Sequence, residues 1–111
     1  MTTITQMQLV AAVQLGNADA SLYNAPTSTT AKIGRAVFTN TTASAVTITA
    51  GVTTGAALGV LAMISARTLA PGEAYVSPEL AGAVLPAGSA IRAFASAAAS
   101  VTFTASGLIV Q

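Results

Sequence analysis

Two of the chain's three acids, Glu73 and Glu79, lie on either side of Tyr75 in the stretch "LAPGEAYVSPEL". A carboxylate pair is the equipment of glycoside hydrolysis, where one group protonates the leaving oxygen and the other acts as base or nucleophile. Such chemistry also requires a shaped polar cleft around the pair. The local sequence gives each acid a plainer task. Glu73 closes the turn "APGE", and Glu79 falls in the first turn opened by "SP", where negative charge complements the helix dipole. The third acid, Asp19, lies in "GNADAS", a turn by composition. The plainer reading is preferred, and the chain is expected not to be an enzyme.

What is missing narrows the chemistry further. There is no cysteine and no histidine, which removes thiolate nucleophiles, the commonest general base and the commonest metal ligands. No cofactor, metal or catalytic residue is expected. "GAALG" and "AGAVLPAG" contain glycines but neither the P-loop lysine nor dinucleotide spacing. Asn40-Thr41-Thr42 matches the glycosylation pattern and reads as a turn. Three Phe, two Tyr and four basic residues are too scattered for a nucleic-acid platform, and a net charge of +1 draws neither phosphate nor acidic membrane.

The arginines carry two readings. Arg35, Arg67 and Arg92 each fall in a strand-like stretch with apolar neighbours. One reading places them in interface ion pairs, for example with Glu73 or Glu79 of a neighbouring subunit. The other leaves them solvated on an outer sheet face. The interaction candidates are therefore Arg35, Arg67, Arg92, Glu73, Glu79 and Tyr75. Composition points to assembly: only 6% of residues are charged, against roughly 25% in soluble domains. A surface so poor in charge calls for partners, because interfaces are depleted in charge at their centres.

The elements that must hold these residues read as strands. "AKIGRAVFTN" (31–40) places Ile33, Val37 and Thr39 on one face and Ala36 and Phe38 on the other. "AVTITAG" (45–51) points Val46, Ile48 and Ala50 inward, and the polar "NTTAS" between these two segments reads as a hairpin link. "SAIRAFAS" (89–96) alternates Ile91 with Arg92 and Phe94. It leads through "AAAS" into "VTFTASGLIV" (101–110), a second expected hairpin, with Gly107 suggesting a bulge. A strand apolar on both faces is expected from about Val60 to Thr68. "APGE" has type II turn chemistry, "SPEL" an N-cap followed by proline, and "LPAGS" a turn releasing a strand at Ala90.

Short strands between regular turns predict an all-β fold, an antiparallel β-sandwich or jelly-roll-like barrel with at most one short helical turn. Residues 1–20 read as an N-terminal strand or arm and 21–111 as a single sandwich domain. The N-terminus lacks the basic start of a signal peptide. "GAALGVLAMISA" (55–66) is too short and glycine-rich to span a bilayer as a helix.

The marks "LYNAP", the "NTT" link, "LAPGE", the "PEL–VLPAG" turn pair and the closing "SG" together cover about residues 21 to 110. In these the chain resembles small β-rich structural proteins of tailed bacteriophages, the capsid decoration or cement proteins and tail-associated proteins. The resemblance implies a symmetric homo-oligomer, a trimer favoured, with no cofactor. Its implied partners are the major capsid protein or other virion proteins, and its implied location is the virion, assembled in the host cytoplasm. The leading expectation is a decoration or cement protein that stabilises the assembled head. The alternative is a neck, tail or fibre component, including a host-contact module.

Overall fold

The computed structural model describes residues 3–54 and 62–111. Nine strands lie among them: β1 (Ile4–Gln14), β2 (Ala20–Asn24), β3 (Thr30–Asn40), β4 (Val46–Thr53), β5 (Ile64–Leu69), β6 (Ala74–Val76), β7 (Val84–Leu85), β8 (Ala90–Ala95) and β9 (Val101–Val110). One sheet, here sheet A, runs β1-β9-β3-β6, with β7 also on β3; the other, sheet B, runs β2-β8-β4-β5. Every pairing is antiparallel. With the two-residue β7 set aside and the rest lettered B to I, the orders are B-I-D-G and C-H-E-F. That is the order of a jelly roll, the expected fold class.

The core lies between the sheets. Phe38 of β3 and Phe103 of β9 are cross-strand partners, fully buried, with ring centroids 4.6 Å apart. Ile48, Ile91, Ala93 and Ala95 of sheet B join the same buried cluster. The alternation read in "AVTITAG", "SAIRAFAS" and "VTFTAS" holds residue by residue: Val46, Ile48, Ala50, Ile91, Val101, Phe103 and Ala105 are buried, and the residues between are mostly partly exposed.

The pairing expectation does not hold. Neither β3 with β4 nor β8 with β9 forms a hairpin, because each pair has one strand in each sheet. The short links 41–45 and 96–100 instead carry the chain across the core. Asn40 shows how. It is fully buried, and its Nδ2 donates to the carbonyls of Ser44 (2.8 Å), Leu69 (3.2 Å) and Ala70 (3.2 Å). Its Oδ1 accepts from the N–H and hydroxyl of Thr42. The amide is wholly used inside the fold, so the glycosylation pattern here is a structural arch.

Two further expectations are corrected. Ile33 does not share a face with Val37 and Thr39. The β3–β9 register shifts between Ile33 and Arg35, so Ala31 and Ile33 face inward, then Ala36, Phe38 and Asn40. The irregularity foreseen at Gly107 is real, but its extra residues belong to the neighbours, with a second shift between Gln8 and Val10 of β1. The strand foreseen over 60–68 begins at Ile64 in the described residues, its proposed start lying outside them. Nor is it apolar on both faces: Ser65 to Thr68 are exposed. It is an edge strand, kinked where Ala66 takes a φ of 48°.

The turns behave as their chemistry demands. Gly72 has φ 74° and the Glu73 N–H donates to the Ala70 carbonyl, as in a type II turn. Ser77 Oγ accepts from the Leu80 N–H at 3.1 Å, capping a single turn over 78–82. Gly82 and Ala83 then tie that turn to both backbone groups of Ile33.

Candidate functional site

The candidate side chains fall into separate settings rather than one cleft. On one flank of the sandwich the edge strands are β5 and β6. Arg67 pairs opposite the buried Ile48 and Tyr75 opposite the buried Phe38, so both lean across the inter-sheet gap. The Arg67 guanidinium sits 4.0 Å from the centroid of the Tyr75 ring. The Tyr75 hydroxyl donates to Glu79 Oε1 at 2.6 Å, and the Ser77 hydroxyl to the same oxygen at 3.2 Å. Cation, ring and carboxylate thus form a clasp joining the two sheets.

The electrostatics of this clasp argue against acid catalysis. The hydrogen bond from Tyr75 holds the Glu79 carboxyl below its ordinary value of 4.5, against the opposing effect of burial, with help from Ser77 and Arg67. Burial, with the bond to and charge of Glu79, pushes the Tyr75 phenol above its ordinary 10.0. A glycosidase acid needs the opposite, a carboxyl raised toward neutrality. Glu73 is occupied elsewhere: its Oε1 accepts from the Ala70 N–H at 2.7 Å and braces its own turn.

Arg92 lies on the outer side of β8 and is half-buried. Its Nε donates to Asp19 Oδ1 at 2.9 Å, so its carboxylate comes from its own chain. Sequence reasoning missed Asp19, which lies far from Arg92 along the chain. The pairing of β2 with β8 brings them together, since Ser21 stands opposite Arg92. Arg35 is set apart from these contacts. It is exposed on the outer face of sheet A, in a shallow hollow with Gln8, Val37, Thr104 and Ser106. Among the described residues no group of three or more acids, histidines or cysteines is placed to hold a metal.

No family model and no curated protein matches the chain. Among solved structures it is similar to a chain of infectious bursal disease virus, Gx strain. The TM-score is 0.56 at 17% identity, over 99% of this chain and 32% of that one. A second likeness is to the infectious bursal disease virus VP2 subviral particle, with a TM-score of 0.55 at 17% identity, over 98% and 32% of the two chains. What is shared is the fold. The chain spans about a third of the length of these proteins, and within that span the two-sheet sandwich is the common architecture.

Proposed function

We propose that this chain is a virion structural protein, a decoration or cement domain on the head of a tailed bacteriophage. The observation that carries the reading is the jelly-roll sandwich, which matches a fold found in a virus particle along nearly the whole chain. The sequence resemblance to phage structural proteins supports the same class. The surface supports it too: Ile4 (65% exposed), Val84 (53%) and Val76 (49%) are apolar side chains open to contact, in a chain with very little charge.

The mechanism is additive binding. A domain that binds only the assembled lattice lowers the free energy of that state by mass action. Joining copies into a homo-oligomer, a trimer by the phage resemblance, turns weak single contacts into a persistent attachment. The clasp and the Asp19–Arg92 pair serve in this reading to stiffen the domain, and no catalytic step is assigned to it.

Quantitative mass spectrometry of purified particles tests the proposal through the copy number of this chain relative to the major coat protein. A ratio near that of the coat protein is expected. A handful of copies per particle moves the chain to the neck, tail or fibres. Complete absence from particles removes the virion reading.

A further inference from the structure

All three acids are engaged within the chain: Asp19 with Arg92, Glu73 with its own turn, and Glu79 with Tyr75 and Ser77. Two of the four cations are engaged as well, Arg92 in its ion pair and Arg67 over a ring. The remaining two, Lys32 and Arg35, are exposed. In a regular strand residues three apart point to opposite faces. Here the register shift at Gly34 places Lys32 opposite Leu108 and Arg35 opposite Ser106, and residues two apart on β9 share a face. Both cations therefore stand on the outer face of sheet A.

The rest of that face is uncharged and mixed: Val84 lies beside Lys32, Val76 beside Val37 and Ile4 beside Val110, with hydrogen-bonding side chains between them. Gln6 stands opposite Leu108 and Gln8 opposite Ser106, and Thr104 lies in the next row. None of the five strands of sheet A contains an acid. The face is thus a small cationic platform with no internal counter-charge.

We propose that the outer face of sheet A around Lys32 and Arg35 is the docking surface, and that its partner is a protein face bearing two carboxylates about 7 Å apart, the rise of two strand residues. Arg35 takes one carboxylate through its planar fork and Lys32 the other as a point charge. The carboxylates come from a different protein, since this chain's own acids are committed. Nucleic acid fits less well: two cations neutralise few phosphates, and both rings on sheet A's long strands, Phe38 and Phe103, are buried. This inference rests on the virion reading and names the surface and partner chemistry that reading requires.

The test uses particles of the encoding virus stripped of this protein, and measures rebinding of wild type and of K32Q/R35Q. Both side chains are exposed, and melting curves establish that the variant is folded. The expected result is that wild type rebinds while the variant binds at least about tenfold more weakly, with wild-type binding also weakening as salt rises. Equal rebinding of the two overturns the docking face and leaves the virion reading standing. Failure of wild type to rebind overturns the docking face alone, whereas absence of the chain from the particles before stripping overturns the virion reading and this inference with it. Binding of wild type to a short DNA duplex as tight as to particles, lost in the variant, overturns the carboxylate assignment in favour of phosphate. A second measurement needs no variant. Lys32 is the single lysine, so carbodiimide treatment of the bound particle should join Lys32 to an Asp or Glu of the partner. Bound protein that yields no such crosslinked peptide overturns the proposal.

Discussion

Tyr75 works through both ends of its side chain, with the ring under Arg67 and the hydroxyl on Glu79, and this makes the clasp sensitive to pH in both directions. Glu79 has a folded pKa below 4.5, so its stabilisation is complete above the unfolded value and is lost as pH falls through the folded one. Tyr75 has a folded pKa above 10.0, so its stabilisation is complete below that value and is lost as pH rises through the folded one. Thermal melts from pH 2 to 11 should therefore show a plateau with losses at each end. E79Q should flatten the acid limb by removing the titrating group, and Y75F should flatten the alkaline limb. A deeper loss is expected at Asn40, whose side chain serves three carbonyls and the Thr42 N–H and hydroxyl. N40A leaves several of these groups buried and unpaired, and urea unfolding should show a cost on the order of 3 kcal/mol.

At the scale of elements, Gly107 and its neighbours decide how sheet A is phased. A Cβ on Gly107 would overlap the Lys32 carbonyl oxygen and crowd the Gly34 amide, both of them backbone. G107A must therefore move β3 away from β9, and should destabilise the protein by more than about 2 kcal/mol. Gly16 provides the contrast, with open space around its would-be Cβ and no positive φ. G16A should fall within about 0.5 kcal/mol of wild type or be slightly more stable. The same region marks the limit of what the sequence made legible. Alternation gave the inward residues of β4, β8 and β9, and proline–glycine chemistry gave the turns at 70–73, 77–82 and 85–89, because both are local properties. Pairing is not local. The links after Asn40 and Ala95 have the length and polarity of hairpin loops, yet they cross between sheets. An inserted residue such as Gly34 reverses the phase of the strand upstream of it without altering the apolar count. The candidate site was legible to the same extent. Arg67, Tyr75 and Glu79 were singled out by type, but their convergence depends on β5 and β6 being edge strands on the same flank. Asp19 and Lys32 became visible only through register.

The whole molecule is organised around β9. β9 lies between β1 and β3 and supplies the only ladders holding β1 to sheet A among the described residues. The terminal segments meet, with backbone hydrogen bonds between Thr3 and Gln111 in both directions. β8 is similarly internal to sheet B, between β2 and β4. Neither sheet can therefore close until β8 and β9 are present, and most pairings join residues distant in sequence. Such topology places folding in the millisecond-to-second range typical of all-β sandwiches. A chain ending at residue 100 should fail to complete sheet A, because β1 loses its partner strand, β3 keeps only the short β6 and β7, and the core loses Phe103, which stacks on Phe38. Near-ultraviolet circular dichroism and limited proteolysis of that truncation should report a chain without fixed tertiary packing. Adding residues 101–111 back as a separate peptide should restore protection, since the peptide would supply Val101, Phe103 and Ala105 to the waiting inner face. Protection of the truncated chain without the peptide would show instead that sheet B and the arches fold on their own, and would remove β9 as the element that completes the fold.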